Sequence, residues 1–521
     1  MCAPGELDGR QGGVGAGGAP PTRPAEPTGA LLWRLHGATY DLEPFVCAHP
    51  GGELAIRLAQ GIDDATATNL FASYHAVGRG RAWETLERFR VSTAAPAAPA
   101  PSAFREEIEA MLRDHFAPAG GGAAGGGGAR ARVRGTASAA HAYMLVAFGV
   151  AQLVGWVLWA RGHLLGVLLV PLFHWLFGVN SSHDATHFAL SGSPAVNRLL
   201  AYASLPYFYS PGTWYAQHVV MHHTAANQID KDPDLQHFQP LKLHVADVRT
   251  DFPSGEVHTC LDYLKCFGAG LHLAFAVPIA AGGACTRSFR AWYMHMYSPP
   301  ILLPPGLARS ASHRLLNLCA PVLFVAFIAY PYVAFGGGCD TRPNDGGGDG
   351  GGVLAAAAGA CMSGGASGWR NWAGGRGGCD FGFARKSLFA FAPPMISSLI
   401  FMLVTQVSHV QPEAQRAHVD DESDFFKRQA LTSVDYNGGS RLWGALTGGL
   451  NVQSLHHTLP HISSCHYASI YPKFKAICER HDVALVERTS LLHAAQTALR
   501  YIWMLNHSKR KLLFKEILAG A

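Results

Sequence analysis

The chain has 521 residues, a formal net charge of +5 and a hydrophobic share of 49%, enough for two or three domains. No Lys/Arg tract marks a nucleic-acid footprint, and the small basic excess reads as loop charge beside a membrane. Twenty-seven histidines against ten methionines hint at metal chemistry, while eleven cysteines without a CxxC pair exclude a zinc ribbon.

Residues 1–29 are rich in Gly, Pro and Ala and are expected to be disordered. They hold no apolar h-region, so no cleaved secretory signal is expected, and the first transmembrane helix would direct insertion. From 30 to 92 the pattern is that of a small α+β domain. Its HPGG turn (His49 to Gly52) follows a short strand-and-helix opening, and His75 comes later in FASYHAVG, after the helical stretch DATATNLF. Asp63 and Asp64 suit that helix's N-terminus. Two histidines on opposing helical loops can grip a haem iron from both faces, and the Pro-Gly-Gly turn clears side chains where backbone approaches the porphyrin. With both axial positions taken, the haem would carry electrons and not bind oxygen. The blander alternative is a small globular domain with a chance HPGG turn.

Residues 93–140 read as a flexible linker. Within it FREEIEAMLRDHF forms a short amphipathic helix, with Phe104, Ile108, Met111, Leu112 and Phe116 at helical spacing. The glycine-rich tract that follows would let the first domain visit a second site, or serve only as a spacer. Apolar blocks at 141–160 and 163–180 form a helical hairpin split by Arg161-Gly162. Three more lie at roughly 261–284, 315–335 and 387–408.

Polar clusters punctuate these blocks. NSSHDATH places His183 and His187 four apart; QHVVMHH repeats that spacing with His218 and His222 and adds His223; and LNVQSLHH sets Gln453, His456 and His457 at i, i+3 and i+4. On a helix such residues share one face, so their imidazoles can reach one metal. Nitrogen ligands suit iron at neutral pH, and the Glu-x-x-His repeats of a carboxylate-held di-iron bundle are absent. One such pair would more often be structural; three matched clusters at the ends of apolar stretches are hard to obtain by chance. The DKDPDL run puts the second cluster in water or at the headgroups. His174, inside an apolar block, reads as a packing or channel residue. Asn180 is either a helix cap or a residue near the metal.

At these residues the chain resembles the membrane fatty acyl desaturases, and in particular the front-end type. Those carry an N-terminal cytochrome b5 domain and Gln in place of the first His of the third box. HPGG, HDATHF, QHVVMHH and LNVQSLHH carry the resemblance, which covers about 30–92 and 140–500. Ser454-Leu455 departs from the commoner Ile-Glu. The resemblance implies a cytochrome b5-like domain followed by an all-α integral membrane domain at 141–505. It implies haem b on His49 and His75, and two iron ions held by His183, His187, His218, His222, His223, His456 and His457. His409, in TQVSHV, is the counterpart of an additional metal-binding histidine of the wider family, and Gln453 would bind through its amide oxygen or through water. Also implied are O2, an acyl lipid or acyl-CoA substrate, and electrons from an NADH-cytochrome b5 reductase. The product would carry a new cis double bond between an existing one and the carboxyl end, Δ5 being favoured over Δ4, Δ6 and Δ8.

Topology follows from parity. All three clusters must face one compartment, so one of the three later apolar blocks does not cross. Residues 261–284 are broken by Gly268, Gly270 and Pro278 and flanked by Lys265, Arg287 and Arg290, which assigns them to the cytosolic periphery. About four transmembrane helices result, with a cytosolic di-iron cap, both termini cytosolic, and the endoplasmic reticulum as host membrane. The Gly-rich insert 336–386 would then be lumenal, where Cys339, Cys361 and Cys379 meet oxidising conditions that favour a disulfide. Competing readings are a sphingoid-base desaturase or lipid hydroxylase on the same scaffold, a histidine-rich membrane metal transporter, and a haem-only redox protein. The transporter needs ligands lining a path within the spans, and the haem-only protein leaves the three clusters unexplained.

Overall fold

The computed structural model describes residues 31–75, 79–91, 100–117, 135–206, 211–229, 231–236, 243–245, 304–309, 311–335, 382–415, 419 and 422–505. The expectations for 1–29, for 261–284, for most of the Gly-rich insert and for its cysteines lie outside these residues.

The N-terminal unit opens on an antiparallel pair, β1 (Trp33–Leu35) and β2 (Ala38–Tyr40). Three helices follow: α1 (Gly52–Arg57), α2 (Asp64–Tyr74) and α3 (Arg79–Glu87). The alternation Trp33, Leu35, Ala38, Tyr40 turns one face inward, where it packs with Val46, Ile56, Ala67 and Leu86. Asp63 caps α2, its carboxylate accepting from the Thr66 amide at 3.0 Å.

The amphipathic helix of the linker is present as α4 (Ala103–His115), capped by Ser102. It is no loose spacer. Phe104, Ile108 and Leu112 are buried in a core with Phe426, Leu455, Ile470 and Phe474, and Glu107 pairs with His481 at 2.7 Å.

The hairpin α5 (Ala139–Ala160) and α6 (Leu164–Gly178) turns at Gly162, whose φ of +76° suits glycine. The two helices meet backbone to backbone: a Cβ at Gly166 would overlap the main chain of Trp159 and Leu158. Tyr143, Val146, Val150 and Leu153 form an exposed apolar stripe at helical spacing, a surface that hydrocarbon covers at no cost and water does not. Across the chain come α7 (Ala311–Ala334) and α8 (Phe383–Gln406), which pack on each other, with α8 also against α6. Trp159 ties the hairpin to α8, its indole donating to the Phe389 carbonyl at 2.9 Å. Three helices among the described residues are long and apolar enough to cross a membrane, those starting at Ala139, Leu164 and Phe383; the apolar part of α7, Val322–Ala334, is shorter.

The C-terminal cap comprises α9 (Phe425–Leu431), β3 (Val434–Tyr436), α10 (Gln453–Thr458), α11 (Tyr467–Arg480), β4 (Val486–Arg488) and α12 (Leu491–Leu505). β3 and β4 pair in parallel, so the expected all-α second domain carries one small sheet. Its long crossover is what a parallel pair requires.

Candidate metal centre and cofactor cavity

The first two histidine clusters stand on π-helical segments, not on the regular α-helix expected. α6 runs on into a π turn at Val179–His183, and the second cluster lies on Tyr215–His222 with a short α turn from His223. The wider turn carries one extra residue per five-residue bond. It lets His218 and His223, five apart, bring their Nε2 atoms within 3.2 Å. The third cluster is on α10, and His409 sits just past the end of α8, its amide bonded to the Gln406 carbonyl.

These residues converge from distant parts of the chain and are all buried. His218 Nε2 lies 3.3 Å from His183 Nε2 and 3.0 Å from His187 Nε2, and His456 Nε2 is 3.1 Å from His223 Nε2. A second nest brings His222, His409 and His457 together, with His457 Nε2 at 3.1 Å and the Gln453 amide nitrogen at 3.0 Å from His409 Nε2. The Gln453 amide oxygen is buried without a hydrogen-bond partner.

What holds the rings decides their chemistry. His222 Nδ1 faces Asp232 Oδ1 at 3.0 Å, His409 Nδ1 the Thr432 carbonyl at 3.1 Å, and His457 Nδ1 the Gln429 amide oxygen at 3.2 Å. His456 Nδ1 lies 3.2 Å from the Tyr467 hydroxyl, which itself donates to the Leu459 carbonyl, and His187 Nδ1 lies 2.7 Å from the Tyr74 hydroxyl. Each outer partner can accept, which lets Nδ1 carry the ring proton and turns Nε2 inward with its lone pair. Nitrogen lone pairs facing one another at these distances repel unless a cation sits among them. The donor set therefore fits metal ions held by neutral imidazoles.

The electrostatics differ from ring to ring. Burial, followed by the neighbouring His222, pulls His409 down to about 4. Burial also opposes charge on His222, but Asp232 and Asp234 outweigh it and raise that ring to about 9. Asp232, from the polar DKDPDL run, is 1% exposed, its other oxygen taking the Asn227 amide at 2.7 Å. Sequence reasoning missed this outer partner, and also Gln429, Tyr467 and Tyr74, because none stands at a repeating interval from the histidines. Asn180 neither caps a helix nor faces the cage: its amide donates to the Leu176 and Ala445 carbonyls. His174 is a packing residue, bonded to Gln152 and the Ser204 carbonyl.

An apolar pocket adjoins the cage. Trp175, Val179, Trp214, Phe401 and Leu450 line it together with His183, His218, His222, His409 and Asp234.

His49 and His75 face each other in the N-terminal unit with ring centroids 6.2 Å apart, across a cavity of about 1450 Å³. His75 Nδ1 donates to the Phe71 carbonyl at 2.9 Å and His49 Nδ1 lies 3.3 Å from the Gly52 carbonyl, so both Nε2 atoms are left for a ligand. That spacing leaves room for one ion at about 2 Å from each ring. A Cβ at Gly51 would press on the His49 ring and on Ala55 at 3.0 Å, tighter than ordinary contact. Burial holds His75 at about 4, in the neutral, metal-ligating form.

Membrane-length helices that end in a buried, nitrogen-lined cage define a membrane protein built for metal-dependent chemistry. The profile of the fatty acid desaturase family matches residues 155–338 and 322–489, and the chain belongs to that family. It is therefore an O2-dependent desaturase, an oxidoreductase of lipid metabolism. Similar proteins include an acyl-lipid omega-13 desaturase of Chlamydomonas reinhardtii, 29% identical over 97% of both chains. An acyl-lipid (7-3)-desaturase of Diacronema lutheri is 34% identical over 85% of this chain and 83% of its own. An acyl-lipid (8-3)-desaturase of Mortierella alpina is 25% identical over 92% of this chain and 94% of its own.

Proposed function

We propose that this protein is a front-end desaturase, placing a cis double bond in a polyunsaturated acyl chain between an existing double bond and the carboxyl end. The observation that carries the metal chemistry is the inward convergence of imidazole Nε2 atoms, with the Nδ1 atoms of His187, His222, His409, His456 and His457 engaged outward. His183, His187, His218, His223 and His456 would hold one iron, and His222, His409 and His457 the other, with the Gln453 amide oxygen beside the second. When bound, the pair supplies O2 activation and abstraction of hydrogen from adjacent methylenes. The chain's own residues do the rest. Trp175, Trp214 and Phe401 exclude water and offer the methylenes an apolar wall, while Asp232, Tyr467 and Gln429 keep the rings turned inward.

The N-terminal unit is a cytochrome b5-like domain, with haem b between His49 and His75 supplying one-electron transfer from an NADH-linked reductase. Supporting this are the paired rings, their outward-held Nδ1 atoms and the glycine turn. α5, α6, α7 and α8 are the four crossings, which puts both termini and the cage on the cytosolic face of the endoplasmic reticulum. The acyl-lipid names of the relatives favour a lipid-bound acyl chain over the CoA ester. Those names differ in the position they give, and Δ5 is the first to test.

Expression in yeast fed defined polyunsaturated acids, followed by mass spectrometry of double-bond position, tests the reading. The new bond should lie on the carboxyl side of an existing one and vanish in His183→Ala, His222→Ala and His456→Ala. A desaturated or hydroxylated sphingoid base in place of that product would overturn it.

A further inference from the structure

The glycine-rich linker suggests a domain on a leash, but the N-terminal unit is built into the rest of the protein. Leu58 and Leu70 belong to the same apolar core as Trp159, Val219 and Phe401. Gly52 packs so closely on Pro194 that a Cβ there would come within 2.7 Å, and a Cβ at Gly306 would overlap the Arg57 carbonyl. Asn69 donates to the Thr224 carbonyl at 3.4 Å, one residue beyond His223. The cavity between His49 and His75 is walled from both sides, with His187, Phe188, Pro194 and His461 contributed by the C-terminal part.

The closest link is Tyr74. It ends α2 next to His75, and its hydroxyl lies 2.7 Å from His187 Nδ1, the rings inclined by only 16°. We propose that Tyr74 is a positioning residue that joins the two cofactor sites: it holds His187 with Nε2 toward the metal cage and forms the direct bridge from the haem cavity to that cage. This rests on the haem and iron assignments above. One peptide unit separates Tyr74 from the axial His75, and one hydrogen bond separates it from a cage imidazole. With both groups bound, one electron at a time would pass from ferrous haem, left ferric, to a ferric ion of the cage, left ferrous. Tyr74 keeps its hydroxyl proton and is neither oxidised nor reduced. The N-terminal unit is thus a fixed wall of the catalytic site and not a visitor to it.

Replacing Tyr74 by Phe keeps the ring and removes the hydrogen-bond partner of His187 Nδ1, leaving that buried nitrogen unpaired. The test compares purified full-length Tyr74→Phe with the unaltered protein. Haem content is read from the absorption spectrum and iron per chain by elemental analysis. Reduction of the haem by reductase, and its reoxidation under O2 and substrate, are followed by stopped flow. Haem content and the reduction rate should be unchanged while reoxidation per bound iron slows by about tenfold or more, the usual cost of losing an outer partner of a metal ligand. Reoxidation at an unchanged rate would overturn the bridge, as would loss of iron with an unchanged rate per remaining iron. Absence of a haem spectrum from the unaltered protein would instead overturn the haem assignment, and this proposal with it.

Discussion

Asp232 Oδ1 sits 3.0 Å from His222 Nδ1, both side chains 1% exposed, so a carboxylate is buried directly behind a cage imidazole. A carboxylate there fixes the tautomer and makes the inward nitrogen a stronger donor. In Asp232→Asn the single amide oxygen can serve only one of the His222 Nδ1–H and the Asn227 N–H, and the NH2 group must face the other donor. Iron affinity should fall by roughly 10- to 100-fold. Iron per chain after dialysis against graded chelator reads this, and wild-type retention would show that His222 needs no charged support.

Asp184, between the first pair of cage histidines, clasps the loop after the third cluster. One carboxylate oxygen accepts from Ser463 Oγ at 2.8 Å and from Ser464 N and Oγ, both at 3.0 Å. Asp184→Ala strands a buried amide donor and should cost on the order of 3 kcal/mol. Thermal unfolding in detergent should show a lower midpoint for Asp184→Ala, and an unchanged one would mean that the clasp adds nothing.

The α5–α6 hairpin supplies a matched pair of glycines. At Gly166 a methyl group would overlap the Trp159 backbone, whereas at Gly149 it would rest 3.5 Å from Phe177 in ordinary contact. Gly166→Ala must therefore push the helices apart, at a cost of roughly 1–3 kcal/mol or more, while Gly149→Ala is tolerated. Monodisperse yield in size-exclusion chromatography separates them; equal behaviour would rule out backbone contact at Gly166.

Asp435 is fully buried on β3, accepting from the Ser454 amide at 2.9 Å, from the Ser454 hydroxyl and from Tyr471 at 3.0 Å. Burial outweighs these bonds and raises its carboxyl to about 6 from an ordinary 3.8. A raised folded-state pKa means that the folded protein holds its proton longer than the unfolded chain. The contribution favours folding below about 4 and is lost as pH rises through about 6, on the order of 3 kcal/mol across the window. Asp435→Asn should flatten that part of the stability–pH curve. Parallel curves for the two proteins between pH 4 and pH 7 would assign the dependence elsewhere.

Several features were legible from residue order alone because they rest on local periodicity. The apolar blocks, the histidine clusters, the HPGG turn and the stripe on α4 each occupy one short stretch of chain, where spacing bears on facing. Only the tertiary structure decided which imidazoles share a nest. A π turn shifts every later side chain around the helix axis, and nothing in QHVVMHH distinguishes it from an α turn. It also decided the outer partners: Asp232 and Tyr467 stand 10 and 11 residues from the rings they hold, Gln429 and Tyr74 28 and 113, all outside the segments that carry those rings, so no helical repeat announces them. The linker shows the same limit. Its glycine content speaks for slack, but the position of the N-terminal unit is set by Leu58, Leu70 and Tyr74 packing against residues far along the chain. Periodicity decided which residues form each element, and burial of complementary surfaces decided which elements meet.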